Sequence, residues 1–368
     1  MGRIVRFLDL KVVNTIAYND AISKVFSHGQ FILGPEVQLF EKKMCAYTGR
    51  KYCVGVSSGS DALFLSLKAL GIRAGDEVIT TSLSWIATAN AISLTGAKPV
   101  FVDINDDLNI SPQAIIESIT PKTKCILSVD FTGKLCNYNL IEKIARDYNL
   151  LLVEDASQAF GATDQRGRPS GSFGDISAIS HNPMKVLAAL GEAGSILTDD
   201  EDLYKKLSIL RYAGTINREI CVTPSLNHRL DTIQASILLA NLATFEKNVL
   251  EPRSRNAALY DKYLPDIVFK PAPSVYPERQ VYYTYSARVP NRDLLMEYLS
   301  DNLVETKVQH KLPMPSHPAY SNLKTDSKTY PEAIKASNEI ICLPIHEKLT
   351  IDDILHVCNL ITKFYLHI

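Results

Sequence analysis

The sequence has no apolar stretch near the ~20 residues that a membrane-spanning helix needs, and it has no low-complexity tract or internal repeat. Its seven cysteines include no CxxC pair, which argues against a zinc site. The formal net charge of −1 gives no general attraction for nucleic acid or an anionic membrane surface. We therefore expect a cytoplasmic protein with reduced thiols and no bound metal, in which any anion is held by a local site.

The length of 368 residues predicts two domains rather than one hydrophobic core. From about residue 50, short apolar runs alternate with helical patterns, which is typical of a mainly parallel α/β sheet between helices. The runs predicted as strands are seven: Val54–Ser57, Glu77–Thr80, Pro99–Val102, Cys125–Val129, Leu150–Glu154, Ile176–Ser180 and Ser195–Thr198. We predict a large domain over residues 1–250, with a helical N-terminal segment.

The pattern changes after about residue 250, where Pro252 is the first of several prolines that are expected to interrupt regular structure. The run "YYTYSARV" then predicts an isolated strand, and helices are predicted near residues 292–302 and 351–365. This combination of a strand and helices predicts a smaller α+β domain over residues 251–368.

A first chemical signal is "VSSGSDAL", which places Ser58, Gly59 and Ser60 between a predicted strand and a helix. Backbone N–H groups at a helix N-terminus, together with the positive end of the helix dipole, suit a phosphate. The alternative is purely structural, with Ser60 as the N-cap and Asp61 favouring the first turn.

A second signal is "LLVEDASQAFGA", where an apolar strand ends in Glu154 and Asp155. An aspartate at this point either caps the next turn or pairs with the protonated ring nitrogen of an electron-sink cofactor. Gln158, one helical turn later, is expected to face the same cavity.

The most informative segment is "SHNPMKVLAALGEAG", in which a strand delivers Ser180 and a turn then presents Lys185. A single lysine is usually a solvated surface residue. Lys185, however, has the apolar neighbours Met184 and Val186 and precedes a glycine-containing loop. A lysine in such a pocket loses its proton readily and attacks carbonyl groups.

Together these residues resemble the DegT/DnrJ/EryC1/StrS family of sugar aminotransferases, which have fold-type I of the aspartate aminotransferase superfamily. The matching stretches run in family order from about residue 30 to residue 350: "FILGPEVQLFE", "SSGSDAL", "GDEVITTSLSWIATANAI", "AKPVFVDI", "VEDASQAFGA", "GSFGDI", the lysine with its "SHNP" lead-in, "NHRLDTIQASILLANL" and "LPIHEKLT". The resemblance implies that the cofactor is pyridoxal 5'-phosphate, with its pyridoxamine form during turnover.

The resemblance also implies roles for single residues. Lys185 forms the Schiff base with the cofactor and moves protons, while Asp155 keeps the ring nitrogen protonated. Gln158 lies near the phenolic oxygen of the ring, and Trp85 stacks on the ring, unless it is simply a core tryptophan. Ser58, Gly59, Ser60 and Ser180 are the residues that it implies for the phosphate.

Further implied positions involve a second subunit and the substrate. In the family, an asparagine matching Asn227 contacts the phosphate across a homodimer interface, so that active sites are shared. Arg229 either reaches that shared site and binds the substrate there, or forms a surface salt bridge. Gln309 and His310 fall where family members approach the sugar, although ordinary surface roles are equally compatible with the sequence.

The sequence departs from the family pattern near the lysine and elsewhere. His181 and Asn182 replace the usual residues before the lysine, "GEAG" with Glu192 replaces "GDGG", and "DFTG" begins at Asp130. We expect these differences to bear on the substrate more than on the cofactor.

The predicted function is transfer of an amino group from glutamate to a nucleotide-linked keto sugar, with carbon 3 favoured over carbon 4. One alternative is a sugar dehydratase of the same family, whose members replace the lysine with histidine. The other is a catalytically silent binding or regulatory protein on the same fold. Retention of Lys185 disfavours the first, and retention of Asp155, Gln158 and Trp85 disfavours the second.

Overall fold

The computed structural model describes residues 3–11, 15–323 and 329–367. The first two residues of the predicted large domain and the last residue of the predicted small domain are outside these ranges. Helices α1 to α12 are Thr15–His28, Pro35–Thr48, Gly59–Ala69, Ala87–Leu94, Pro112–Glu117, Tyr138–Asp147, Glu201–Arg211, Thr232–Leu242, Glu251–Tyr263, Arg292–Asp301, Pro331–Glu339 and Ile351–Leu366. Strands β1 to β11 are Tyr52–Val56, Glu77–Thr81, Lys98–Val102, Thr123–Val129, Leu151–Asp155, Ile176–Ser180, Gly194–Thr198, Thr215–Ile216, Ile220–Cys221, Tyr285–Arg288 and Ile340–Leu343. Shorter helical turns are Phe131–Gly133, Glu246–Leu250, Met314–Ser316 and Pro318–Leu323.

Strands β1 to β7 form one sheet in the order β1-β7-β6-β5-β4-β2-β3, and within it β7 runs antiparallel to both neighbours. The seven predicted strands are all present, with ends within two residues of the predicted ones, and the predicted fold class is confirmed. Because the other six strands run parallel, the loops after β1, β2, β5 and β6 meet at one edge of the sheet.

Both faces of this sheet are buried, which explains why its strands appear in the sequence as continuous apolar runs. Successive residues of β4 alternate between two hydrophobic clusters: Ile126 packs in one, and Cys125 and Leu127 in the other. Helix α3 covers one face and ends at Ala69. The chain turns at Gly71, whose φ of 81° is the left-handed conformation that favours glycine.

A further hydrophobic cluster is built from Val5 and from residues between 257 and 364. The strand predicted in "YYTYSARV" is β10, but it is not isolated, because it pairs antiparallel with β11. The expectation that Pro252 interrupts regular structure is wrong. Pro252 lies in the first turn of α9, directly after the π-helical turn Glu246–Leu250, where its missing N–H is tolerated.

Within the described residues, no helix combines the length and the apolar character required to cross a bilayer.

Candidate active site

The N-terminus of α3 forms one wall of the site. The Ser58 hydroxyl accepts the Asp61 backbone N–H at 3.1 Å, so Ser58 caps the helix and the interpretation of Ser60 as N-cap is wrong. Gly59 and Ser60 lie in the first turn, where helix N–H groups have no preceding carbonyl to pair with. Their N–H groups and the exposed Ser60 side chain suit an anion.

Gly59 is required at this position by close packing rather than by its backbone angles. A Cβ added there would lie 2.3 Å from the Ser180 Cβ at the end of β6. The absence of a side chain therefore lets α3 approach β6, and it brings the helix N-terminus next to Ser180.

We expect Gly59→Ala to destabilise the protein by about 1–3 kcal/mol, because overpacking costs this much in close-packed interiors. Helix propensity alone predicts the opposite sign, since alanine is better than glycine by ~1 kcal/mol inside a helix. Urea unfolding of Gly59→Ala decides between the two. The double variant Gly59→Ala/Ser180→Gly, which removes the contacting Cβ, is expected to recover part of the loss; a stabilised single variant would contradict the packing argument.

Strand β5 carries two adjacent carboxylates with different environments, because successive side chains of a strand point to opposite faces. Glu154 is buried beneath the site and accepts hydrogen bonds from the Gly171 and Phe173 backbone N–H groups and the Ser177 hydroxyl, at 2.8, 3.0 and 2.6 Å. Glu154 is therefore a structural residue.

Asp155, the last residue of β5, faces the cavity instead. Its Oδ1 accepts the Ser157 backbone N–H at 3.1 Å, and its Oδ2 lies 3.4 Å from the Thr88 hydroxyl. Burial raises the pKa of the Asp155 carboxyl above its usual value, against the opposing effects of Ser157, Lys185 and Thr88. A buried carboxylate with this environment is stabilised by a cation placed in the cavity.

Lys185 is presented by the turn after β6. Its backbone N–H donates to the Asn182 carbonyl at 2.8 Å, and its Nζ lies 4.6 Å from the centre of the Tyr283 ring. The following loop is held against α8, where the Gln234 side chain accepts the Leu190 N–H at 3.0 Å and Asn241 donates to the Ala188 carbonyl at 2.8 Å. These contacts fix the position of the lysine.

A cavity of about 440 Å³ joins these elements, within the range of ~300–1,000 Å³ that is usual for small-molecule sites. Its lining includes all the predicted cofactor residues except Ser58 and Asn227, and, of the three predicted substrate residues, Gln309 and His310 but not Arg229. The lining residues are Gly59, Ser60, Leu63, Ser84, Trp85, Ala87, Thr88, Asp155, Ser157, Gln158, Ser180, Asn182, Met184, Lys185, Glu192, Tyr283, Val308, Gln309 and His310.

Trp85 and His310 face each other at the cavity. The Trp85 side chain is 60% exposed, so the alternative that it is a core tryptophan is wrong. The His310 ring centre lies 5.9 Å from that of Trp85 and 5.7 Å from that of Phe131. Burial, with Lys185 and His317 nearby, lowers the pKa of His310 to about 4, so its imidazole is neutral at neutral pH.

Only some of the departures from the family pattern border the cavity. Asn182 donates to the Glu192 carboxylate at 2.6 Å, and both side chains line it. His181 is buried outside the lining, and the Asp130 carboxyl is buried with its Oδ1 bonded to Tyr138 and the Cys136 N–H. Neither His181 nor Asp130 is placed to select a substrate.

Asn227 and Arg229 lie outside this cavity, on the segment that precedes α8. Their side chains contact each other, with 2.7 Å between Arg229 Nε and Asn227 Oδ1. Within the described residues, the salt bridge considered for Arg229 is not formed.

Among the lining residues that the sequence did not predict for the site, Tyr283 contacts Lys185, and Thr88 and Ser157 contact Asp155. Tyr283 was interpreted only as part of a strand, and no local signal links it to Lys185 more than 90 residues earlier. Thr88 and Ser157, which contact Asp155, lie inside two of the matching stretches. Both are polar residues that follow predicted strands, and this pattern could have assigned them to the site.

Comparison with known proteins gives the family. Residues 15–362 match the model of the DegT/DnrJ/EryC1/StrS aminotransferase family. The chain belongs to this family.

One relative in sequence and two solved structures show the extent of the similarity. The chain is 35% identical, over 98% of its length and 100% of the relative, to the UDP-2-acetamido-2-deoxy-3-oxo-D-glucuronate aminotransferase of Pseudomonas aeruginosa. DesV of S. venezuelae, solved in complex with a ketimine intermediate, superposes with a TM-score of 0.95 at 32% identity, with 99% of each chain covered. NtdA of Bacillus subtilis, solved with bound cofactor PMP, gives a TM-score of 0.89 at 29% identity, covering 98% of this chain and 86% of that one.

Proposed function

We propose that the protein is a pyridoxal-phosphate-dependent aminotransferase that moves an amino group from glutamate to a nucleotide-linked keto sugar. The observation that carries the proposal is the placement of Lys185 and Asp155 in one cavity with the N-terminus of α3. An amine, a buried carboxylate and a phosphate-binding helix end are the groups that this cofactor requires of its protein.

The residues of the cavity fit the cofactor. The close approach of Gly59 to Ser180 makes a cradle of backbone N–H and hydroxyl donors for the phosphate. Asp155, whose pKa burial raises, is the partner for a protonated pyridine nitrogen, and the cation in turn favours the ionised carboxylate. When bound, the cofactor supplies an electron sink for negative charge at the substrate carbon.

Each side chain then has a defined task. Lys185 holds the cofactor and transfers protons at its Nζ, and Asp155 keeps the proton on the ring nitrogen. Gln158 Oε1 accepts the Thr132 backbone N–H at 3.1 Å, which leaves its Nε2 to donate toward an oxygen in the cavity. The exposed Trp85 side chain, which lines the cavity, would cover the cofactor ring and exclude water from it.

The name of the Pseudomonas aeruginosa relative, a 3-oxo sugar aminotransferase, supports a nucleotide-linked keto sugar and favours carbon 3 over carbon 4. The test is a glutamate-dependent amination assay over matched 3-keto and 4-keto nucleotide sugars, with the product identified by NMR. Amination only at carbon 4 would contradict the preference for carbon 3. Loss of a sugar hydroxyl without amination would instead identify a dehydratase.

The charges of the cavity support a second subunit. Lys185 is the one Lys or Arg side chain among the lining residues described, and the lining also holds the carboxylates Asp155 and Glu192. Glutamate and a nucleotide diphosphate are both anionic, so cations from outside this lining are needed. We propose a homodimer in which Asn227 and Arg229 serve the partner's cavity. The cysteines, all free, support a reducing compartment such as the cytoplasm.

Mixing two inactive variants tests the shared site. Subunits with Lys185→Ala and subunits with Asn227→Ala are each expected to be inactive or weak, and their mixed dimers contain one site with both residues intact. After subunit exchange, the mixture is expected to regain activity. No recovery, with exchange demonstrated by differently tagged subunits, would mean that each site is built from a single chain.

A further inference from the structure

Residues 227–229 form a strand-like segment between two neighbours. Asn227 pairs with Tyr212 on one side, and Arg229 pairs with Val56 on the other. The backbone of the central residue, His228, bonds to Arg211 and Ser57 at 3.1 and 3.0 Å. The main chain of the segment is therefore fixed before any partner binds.

Side-chain alternation divides this segment into two faces. The His228 ring is buried and lies with its Nδ1 3.0 Å from the Asp61 carboxylate. Asn227 and Arg229 consequently share the opposite face, where Asn227 is exposed and Arg229 partly so. The Arg229 guanidinium lies 4.7 Å from the centre of the Tyr212 ring, which holds its side chain in place.

The contact between the two outward side chains fixes the orientation of the amide. Asn227 Oδ1 accepts the Arg229 Nε–H at 2.7 Å and the Arg229 backbone N–H at 3.3 Å. Arginine offers only donors, so the amide oxygen must face Arg229 and the Nδ2 donors must point away. An outward amide NH2 suits a phosphate oxygen, whereas an outward carbonyl would repel it.

We propose that Arg229 is a positioning residue: it orients the Asn227 amide so that the two Nδ2 donors are presented to the cofactor phosphate of the partner subunit. Arg229 acts through Asn227 and need not touch the phosphate. This inference rests on the shared site of the proposed function. It predicts that removing Arg229 matters only while Asn227 is present.

A double-mutant cycle on cofactor affinity tests this prediction without an activity assay. Cofactor-free protein carrying Arg229→Ala, Asn227→Ala or both is titrated with pyridoxal 5'-phosphate, and the Kd is read from the visible absorbance. We expect Asn227→Ala to raise Kd about tenfold and Arg229→Ala about fivefold, because each loses a hydrogen bond to an ionised group. In the Asn227→Ala background, Arg229→Ala is expected to change Kd by less than about twofold.

Arg218→Ala is the matched control, since its guanidinium also lies over the Tyr212 ring, at 5.3 Å, and in the described part of the chain it does not contact Asn227. It is expected to leave Kd unchanged. Multiplicative effects of the two single substitutions would overturn the positioning role and indicate direct contact of Arg229 with the ligand. An unchanged Kd in Asn227→Ala would instead contradict the shared phosphate site itself. Thermal melting of each variant excludes loss of folding as the cause.

Discussion

Lys185→Ala is expected to lower the amination rate by a factor on the order of 10³ or more, because covalent attachment and proton transfer both require this amine. The visible absorption of the lysine-bound cofactor is expected to disappear as well. The fold should persist, since Lys185 Nζ has no carboxylate partner in the described structure and contacts the Tyr283 ring.

The measurements for this variant are single-turnover amination, the absorption spectrum and the melting temperature. Lys206→Ala removes an exposed lysine of α7 and serves as the control for loss of one positive charge. Turnover of Lys185→Ala near the rate of the unsubstituted protein would contradict the central assignment. If Lys185→Ala were inactive and also had a lowered melting temperature, the same measurements would be made on Lys185→Arg. That variant keeps the charge and the length of the side chain but supplies no nucleophilic amine.

Asp155→Asn is expected to keep the cofactor bound and to lose activity by about 10²-fold or more. Asparagine preserves the shape and the contact with Ser157, but it has no negative charge to keep the ring nitrogen protonated. The rate constant at saturating substrate and the cofactor Kd separate the two effects. A loss below about tenfold, or ~1.4 kcal/mol, would identify Asp155 as a turn-capping residue.

Glu154→Gln is the matched control, because it neutralises the neighbouring carboxylate on the other face of β5. Glu154 accepts two backbone N–H groups and a hydroxyl, and a glutamine NH2 would face some of these donors. We expect a lower melting temperature with an unchanged rate constant in the folded fraction. A strand-wide electrostatic effect would instead reduce the rate constant of both variants similarly.

Most of the sheet was predictable because apolar runs and strand spacing are local signals. The seven strands depend on short segments whose chemistry can be interpreted in isolation. The same holds for the residues at or shortly after their carboxyl ends, such as Ser60, Asp155 and Lys185. Because the carboxyl ends of parallel strands share one edge of the sheet, these residues lie close together there. The resemblance to the family added Trp85, and it specified the role of Gln158; both side chains line the cavity.

The unpredicted parts depend on contacts between distant segments. Tyr283 reaches Lys185 through packing of the chain after residue 250, and β11 pairs with β10 from more than 50 residues away. Sequence spacing also could not show which of the residues that depart from the family pattern line the cavity. His181 and Asn182 are adjacent, yet one is buried outside the lining and the other lies in the cavity.

The buried imidazole of His181 sets a limit on the acid tolerance of the protein. Its Nδ1 donates to the Leu187 carbonyl at 3.1 Å and its Nε2 accepts from Ser195 at 2.9 Å, and burial lowers its pKa to about 4. Between that pH and the usual histidine value near ~6.5, the unfolded chain binds a proton that the native chain does not, so stability falls as the pH is lowered through this window. Mild acid is therefore expected to lower the free energy of unfolding, whereas near neutral pH the His181 imidazole stays neutral and does not contribute to the pH dependence of amination.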